Sequence, residues 1–369
     1  MRTPILNVVE SEQAAAACVI AHLVALSGSR SRVLCISGAG PTLKLAEAHA
    51  RIVGRAIFVV QATTKEPTLA SVRSIASQAQ EHAATAVLSV GGGSVVDVSK
   101  VVAFELNLPH VVLAAALSSD AIASPIAVLR DSHTGRKNSQ GYAAPDAVVV
   151  NTELTIQAPR HLTCSGIFDG LSNASALLDV ALAAGAGRHT RNVASEELSR
   201  TAYRLLLGLT AQNCAERTSH AVLAESLALS GKAMLMCGTS VPCSGAEHLV
   251  SHALDFLGLG HGTHGIQVGV GTVFCHHLRL ACGLPGIEPQ VMETLDEFKV
   301  AYLHPRHLGI SKPNFLRAVA IAAAMRPNRY SVLSEASSAM FEEVYESAFE
   351  ERMAPQPAAS TKSAHAVLG

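Results

Sequence analysis

The sequence contains no tryptophan, and aromatic residues make up only 4% of its 369 residues. Side chains on which nucleic-acid bases stack are therefore scarce. The 28 Lys and Arg residues nearly balance the 29 Asp and Glu residues, and the chain has no basic block. These properties argue against nucleic acid, and against an anionic membrane, as the main partner.

The sequence also lacks a CxxC pair among its eight cysteines, and its first residues lack the pattern of a secretory signal. We therefore expect a cytoplasmic protein with reduced thiols, and no zinc site built from cysteines. The apolar stretch 174–186 is interrupted by Asp179, so no membrane-spanning segment is predicted.

Hydrophobic residues make up 49% of the chain, which is enough for a large core and favours two domains over one. In the first half, short apolar runs alternate with helical segments, which indicates a parallel sheet covered on both faces. Strands are predicted over residues 33–37, 56–60, 86–90 and 110–114. Residues 122–129 and 147–150, joined by a polar stretch, predict a hairpin-like excursion at the sheet edge.

From Pro159 onward strand signals vanish and Ala/Leu-rich runs predict an all-helical domain. We therefore divide the chain into an α/β domain over residues 1–155 and a helical domain over 156–352. The last stretch, 353–369, is rich in Ala, Pro and Ser and is predicted to be a loose tail.

Three glycines, Gly91, Gly92 and Gly93, follow the third predicted strand in the segment GGGSVVDVSK. Glycines let the backbone approach a phosphate, and the start of the next helix directs N–H groups and its positive dipole end at that phosphate. Asp97 and Lys100 follow at helical spacing. A plain tight turn, with Ser94 as N-cap, is the alternative interpretation.

Two polar segments follow the fourth predicted strand, LSSDAIASP at 117–125 and GRKNS at 135–139. Ligands of open α/β sheets bind outside the carboxyl ends of strands. The hydroxyl residues could therefore contact a cofactor, and Asp120 a substrate hydroxyl, although a Ser/Asp-rich turn looks the same. Arg136 and Lys137 could bind an anionic group, or form a solvated basic loop.

His248 and His252 are four residues apart, so on a helix they share one face, and His264 follows in a glycine-rich turn. Imidazoles converging from a helix face and the next helix's entry suit a divalent metal. Asp169 is the candidate oxygen ligand, although at the start of a helical run it could equally be a first-turn charge. With 17 histidines in the chain, chance clustering stays an alternative.

Six segments in this order resemble the glycerol-1-phosphate dehydrogenases, in the superfamily of iron-containing alcohol dehydrogenases, glycerol dehydrogenases and dehydroquinate synthases. The resemblance covers roughly residues 30–280. It rests on GGGSVVDVSK, LSSDAIASP, GRKNS, SGIFDGLSN, SGAEHLVSHALD and HGIQVGVG.

The resemblance implies an α/β nucleotide-binding domain with a parallel sheet, and an all-α domain that holds metal and substrate. NAD or NADP and one divalent metal, usually zinc, would meet between them and interconvert a small phosphorylated ketone and its alcohol, such as dihydroxyacetone phosphate and sn-glycerol 1-phosphate. A homo-oligomer is expected. The implied metal ligands are Asp169, His248 and His264, the implied substrate and catalytic positions are Asp120 and His252, and the cofactor positions are Gly91, Gly92, Gly93, Ser94, Asp97, Ser118 and Ser124.

The chain departs from the family pattern at several positions. Ala115 replaces the usual Thr before the substrate Asp, Ala121 replaces the Gly after it, and Ile266 replaces Glu in HGEQVG. His261 is a rival metal ligand, although spacing favours His264. Gly38 stands where an acid often selects NAD, so the choice between NAD and NADP stays open.

Three other functions are compatible with these residues. The first is a sugar-phosphate cyclase resembling dehydroquinate synthase, which would need Glu at position 169 and basic residues over 237–244, where this chain is uncharged. The second is a non-catalytic nucleotide-binding or assembly protein. The third is a related dehydrogenase acting on a different hydroxy compound in a specialised pathway.

Overall fold

A computed structural model describes residues 3–64, 66–260 and 262–350 of the chain. The predicted tail at 353–369 and the rival ligand His261 lie outside the described residues. In chain order the strands are β1 (Ile5–Val9), β2 (Arg32–Ser37), β3 (Phe58–Thr63), β4 (Ala86–Gly91), β5 (His110–Ala114), β6 (Ile126–Arg130), β7 (Lys137–Gly141) and β8 (Ala147–Asn151).

Six of these strands form one parallel sheet in the order β1-β8-β5-β4-β2-β3. Strands β4, β5 and β8 are buried along their whole length, which explains their continuous apolar sequences. The predictions of strands at 33–37, 86–90 and 110–114 are confirmed. The strand predicted at 56–60 lies slightly later, at β3.

Two predictions about the remaining strands were wrong. The edge strand β1 was missed because it is half exposed, and it makes β4 the fourth strand of the chain rather than the third. The segment 147–150 belongs to β8, which lies between β1 and β5 inside the main sheet and not in an edge excursion. Its unbroken run of buried valines is typical of an interior parallel strand.

The predicted hairpin exists but has different partners. Strand β6 pairs antiparallel with β7, which lies inside the polar stretch, and the two form a separate two-stranded sheet. The turn between them is held by the Asp131 carboxylate, which accepts hydrogen bonds from the backbone N–H groups of His133 and Thr134. Gly135 completes the turn at a φ of +70°.

Helices cover the sheet and then form the second half of the chain. Within the described residues no strand follows β8, so the predicted combination of an α/β half and an all-α half is confirmed. The helices are α1 (Glu12–Ser27), α2 (Pro41–Val53), α3 (Leu69–Glu81), α4 (Gly93–Glu105), α5 (Thr152–Thr155), α6 (Arg160–Leu171), α7 (Asn173–Gly185), α8 (Val193–Leu205), α9 (Arg217–Cys237), α10 (Ala246–Phe256), α11 (His264–Ala281), α12 (Pro289–Tyr302), α13 (Lys312–Ala322), α14 (Val332–Glu335) and α15 (Phe341–Tyr345).

The sheet has a separate core on each face, and the helical half has a third. One sheet core includes residues of α1 and α2, and the other includes residues of α3 and α4. Buried side chains of β5 and β8, including Val112 and Val150, belong to the same cluster as the helices of the second half. The two halves therefore pack against each other through these central strands.

The stretch Arg160–Gly185, which contains α6 and α7, is long and apolar enough to cross a membrane. Of its most apolar window, 78% is buried inside the protein. Helices in the core of a protein can be equally long and apolar, and the burial of this stretch is that expected of core helices.

Candidate active site and metal centre

One large cavity, of about 1320 Å³, lies at the carboxyl ends of the parallel strands. Gly92 and Gly93 reach it directly after β4, and Ala115 and Ala116 directly after β5. On the opposite side, α10 and α11 contribute His248, His252 and His264. The cavity thus joins residues of the glycine-rich segment to the predicted metal residues, at the edge of the sheet where ligands of such folds bind.

The glycine-rich segment opens α4 toward this cavity. The N-cap residue of α4 is Gly92, and no side chain accepts a capping hydrogen bond there. The alternative in which Ser94 is the N-cap was therefore wrong. Gly92, Gly93 and Ser94 line the cavity. Gly91 is instead the buried last residue of β4, where a Cβ atom would lie 2.7 Å from Val95 side-chain atoms. Packing against Val95 therefore requires a glycine at this position.

Asp97 and Lys100 connect α4 to the β6–β7 hairpin. The Lys100 Nζ atom lies 3.0 Å from Asp97 Oδ1 and donates to the Ser124 and Ile126 carbonyls. The other Asp97 oxygen accepts from the Val128 N–H at 3.2 Å. Burial raises the pKa of Asp97, and the Lys100 ammonium opposes that rise. Asp97 borders the cavity, whereas Lys100 is buried and does not line it.

The loop after β5 is fixed against α6. The Ser165 hydroxyl donates to the Ser118 carbonyl at 2.8 Å, and the Asp120 N–H donates to Asp169 Oδ2 at 2.8 Å. Gly166 allows this approach, because a Cβ there would overlap the Leu117 carbonyl oxygen. Ser118, Asp120 and Ser124 all line the cavity. Burial and the neighbouring Asp169 carboxylate raise the pKa of Asp120 to about 8.

Asp169 lies two residues before the end of α6, so the alternative that it is a first-turn helix charge was wrong. The negative end of the helix dipole does not favour a carboxylate at that end. The side chain is nevertheless 4% exposed and ionised, because His248 and His264 lower its pKa against the effect of burial. Its position is therefore explained by the histidines and the Asp120 N–H rather than by helix capping.

Asp169, His248 and His264 converge on one point. The Nε2 atoms of His248 and His264 both lie 3.7 Å from Asp169 Oδ1, and one ligand atom from each residue lies within 4.8 Å of the others. Among the described residues, Asp169 Oδ1 is buried and has no hydrogen-bond partner. A buried anionic oxygen without a partner is costly unless a cation compensates it. Two imidazoles and one carboxylate are a donor set typical of zinc and related divalent ions.

Glu247, which the sequence analysis did not identify, orients one of these imidazoles. Its fully buried Oε1 atom accepts from His248 Nδ1 at 2.9 Å and from the Gly245 N–H at 2.6 Å. Burial lowers the pKa of His248, but Asp169 and Glu247 outweigh it and raise the pKa to about 9. The surroundings of His248 thus stabilise positive charge, and the bond at Nδ1 leaves Nε2 directed at Asp169.

His264 is the first residue of α11, so this member of the triad comes from a different helix than His248. Burial lowers its pKa to about 4, so the imidazole is neutral and keeps a lone pair at neutral pH. The following Gly265 donates its N–H to Ser165 Oγ at 3.1 Å. A Cβ at Gly265 would overlap the Ser165 carbonyl oxygen, so this glycine permits α11 to lie against α6.

Of the three residues predicted to bind an anionic group, two line the cavity and one does not. His252 and Lys137 line the cavity, but Lys137 Nζ lies 2.9 Å from Asp255 Oδ1. Arg136 is absent from the lining among the described residues, and its guanidinium lies 4.1 Å from the centre of the Phe256 ring.

Arg326 also lines the cavity, and the sequence analysis did not identify it. It follows α13 and a short helical turn in the segment MRPNRY, far in sequence from every other site residue. No local pattern distinguished it from a surface arginine. Glu247, by contrast, stood beside His248 in the sequence and could have been found from the tendency of carboxylates to orient metal-bound histidines.

Comparisons with known proteins agree with this fold and site. The model of the iron-containing alcohol dehydrogenase family matches residues 14–159. A glycerol-1-phosphate dehydrogenase [NAD(P)+] of Archaeoglobus fulgidus is 33% identical over 249 residues, which is 67% of this chain and 70% of the relative. The glycerol-1-phosphate dehydrogenase [NAD(P)+] of Picrophilus torridus is 32% identical over 276 residues, which is 72% of this chain and 74% of the relative.

Among solved structures, a probable glycerol dehydrogenase from Sinorhizobium meliloti superposes with a TM-score of 0.73 at 20% identity, covering 94% of this chain and 96% of that one. Glycerol dehydrogenase from Schizosaccharomyces pombe gives a TM-score of 0.71 at 16% identity, with 94% and 90% covered. The fold is thus that of the alcohol and glycerol dehydrogenases of this superfamily. Within that class, the chain belongs to the glycerol-1-phosphate dehydrogenase family, and the resemblance inferred from its motifs is confirmed.

Proposed function

We propose that this protein reduces a small phosphorylated ketone to its alcohol, and catalyses the reverse, with NAD(P) and a divalent metal. Dihydroxyacetone phosphate and sn-glycerol 1-phosphate are the proposed pair, as the names of the relatives suggest. The observation that carries the proposal is the convergence of Asp169, His248 and His264, of which both histidines line the cavity into which α4 opens. A nucleotide and a metal held there would share one reaction space.

The nucleotide would lie along the carboxyl ends of the strands. Gly92, Gly93 and Ser94 line the cavity at the start of a 13-residue helix, where backbone N–H groups and the helix dipole favour a pyrophosphate. Ser118 and Ser124 offer polar groups on the adjoining wall. Asp97 fixes the hairpin beside that wall through its bond with the Val128 N–H, and so shapes the cofactor site indirectly.

Asp169, His248 and His264 would hold the metal, with Glu247 orienting His248 through Nδ1. When bound, such an ion supplies Lewis acidity to the ketone oxygen, and the nicotinamide supplies hydride. The carboxyl of Asp120, whose N–H is bonded to Asp169, would hydrogen-bond a substrate hydroxyl from the cavity wall. His252, one helical turn after His248, would contact the other end of the substrate.

The finer parts of the account are also proposals. Residues 1–155 would bind the dinucleotide and residues 156–352 the metal and substrate, with the cavity between them. Zinc is the proposed metal because two imidazoles and one carboxylate are a donor set that suits it. A homo-oligomer in the cytoplasm stays our expectation from the sequence.

A spectrophotometric assay tests the reaction. Metal-loaded protein is offered dihydroxyacetone phosphate with NADH and then with NADPH, while absorbance and released phosphate are followed together. We expect oxidation of one or both cofactors, without phosphate release. Phosphate release without net cofactor oxidation would instead indicate a cyclase, and neither signal, with nucleotide and metal bound, would reject both.

A further inference from the structure

Two basic side chains, Lys137 and Arg326, line the same cavity as His252. Burial lowers the pKa of His252 well below its usual value, and the imidazoles of the triad, Arg326 and Arg329 lower it further. The two triad imidazoles and the guanidinium of Arg326 line the cavity together with His252. Basic groups on a cavity wall are suited to anionic ligands.

Three other basic side chains in this part of the molecule already contact groups of the protein. Lys137 is paired with the Asp255 carboxylate at 2.9 Å. Arg329 donates to the Ser244 carbonyl at 2.5 Å, to the Ser244 hydroxyl at 2.8 Å and to the Ser240 hydroxyl at 3.1 Å. Arg136 stacks on Phe256. Lys137 and Arg329 are therefore engaged by protein groups, and neither Arg136 nor Arg329 is among the described residues that line the cavity.

Arg326 differs from them. It is half-buried, lines the cavity, and donates one hydrogen bond, to the Ser139 carbonyl at 3.2 Å. Over residues 3–64, 66–260 and 262–350, no carboxylate oxygen lies within 4.0 Å of its guanidinium. A guanidinium carries five N–H donors, so most of its hydrogen-bonding capacity remains for a ligand. The bond to β7 also fixes the side chain in place, which lowers the entropic cost of binding.

We propose that Arg326 binds the phosphate group of the substrate and selects phosphorylated ketones over unphosphorylated ones. The inference rests on the proposed function. His252 follows His248 by four residues on α10, a rise of about 6 Å along the helix, and both line the same cavity as Arg326. A ketone oxygen at the triad would place the phosphate at Arg326, whose planar fork can donate two parallel hydrogen bonds to it.

The test compares wild-type protein with Arg326→Gln and Arg326→Lys on dihydroxyacetone phosphate and on dihydroxyacetone. Arg326→Gln should lower kcat/KM for the phosphorylated ketone by about 10- to 100-fold, the effect of losing one charge-assisted hydrogen bond, and leave that for dihydroxyacetone within about twofold. Arg326→Lys should lose less, because a point charge remains. Arg317→Gln, an exposed arginine on α13 outside the cavity lining, is the matched control.

Inhibition by inorganic phosphate gives a second readout that a purely structural role would not change selectively. Phosphate should compete with dihydroxyacetone phosphate in the wild-type protein, and about tenfold more should be needed in Arg326→Gln. If that variant fails to fold, the Arg326→Lys protein carries the same comparison with a smaller expected change.

Equal kcat/KM for dihydroxyacetone phosphate in wild-type and variant proteins would overturn this proposal and leave the proposed function intact. An equal loss on both ketones would overturn it as well, because Arg326 would then be structural. Wild-type protein that reduces no phosphorylated ketone would overturn the proposed function itself, together with this inference.

Discussion

At the scale of single residues, Glu247 shows how a side chain that holds no metal can determine where a ligand points. Its buried carboxylate is fixed by the Gly245 N–H and in turn fixes His248 Nδ1. The sequence could predict Asp169, His248 and His264, because their residue types and spacing suit a metal. The sequence analysis missed Glu247, because an acid in the first turn of α10 looks like an ordinary helix-start charge, and only its position beside His248 gave a signal.

Replacing Glu247 with Gln should weaken metal binding by about 10- to 100-fold, the range typical of lost partners of metal-bound histidines. The amide keeps the shape but loses the charge that favours a cation beside His248. Metal affinity is measured by competition with a chromophoric chelator. Glu343→Gln, at an exposed position on α15, is the control and should bind metal as the wild-type protein does. Unchanged affinity in Glu247→Gln would show that His248 needs no such partner.

At the scale of elements, the site depends on how closely helices and loops approach one another. Gly166 lets the loop after β5 touch α6, and Gly265 lets α11 touch α6. Sequence patterns predicted that these helices exist, but not that they meet, because such contacts depend on long-range packing. The same limit explains β1 and β8: the order of strands follows from tertiary pairing that no local pattern encodes.

Gly265→Ala should lower the free energy of unfolding by about 1–3 kcal/mol, as overpacking typically does, and should also weaken metal binding. The added methyl would overlap the Ser165 carbonyl oxygen and push His264 away from Asp169. Gly185→Ala is the matched control, since nothing lies within 4 Å of a Cβ at that last residue of α7. Denaturant unfolding and chelator competition measure the two effects. A Gly265→Ala protein as stable as the Gly185→Ala control would contradict the close contact.

At the scale of the whole molecule, the central strands join the sheet to the helical half, so groups buried there affect the stability of the entire chain. His110 on β5 is 3% exposed, and its Nε2 atom lies 2.9 Å from the Ser89 hydroxyl. Burial, with a contribution from Lys100, lowers its pKa from 6.5 to about 3. The folded protein therefore keeps this imidazole neutral under conditions in which the unfolded chain protonates it.

The stability of the protein should consequently fall as the pH drops from about 6.5 toward 3. Over that range the unfolded chain binds a proton at His110 that the folded protein does not, which costs up to about 1.4 kcal/mol per pH unit. His110→Gln should make the dependence shallower, whatever its effect on stability at pH 8. His161→Gln, at an exposed histidine on α6, is the matched control. Urea unfolding at several pH values measures the slope of the unfolding free energy against pH. Identical slopes in His110→Gln and wild-type protein would contradict this account.

The most direct measurement of the central claim compares wild-type protein with Asp169→Ala in oxidation of NADH or NADPH by dihydroxyacetone phosphate, with bound metal counted in the same samples. We predict that the wild-type protein oxidises the cofactor, stops when a chelator is added, and recovers when zinc is returned. Asp169→Ala should fold, hold no metal and remain inactive, because the oxygen toward which both histidines converge is gone. A variant that keeps stoichiometric metal and wild-type activity would contradict the assignment of the site.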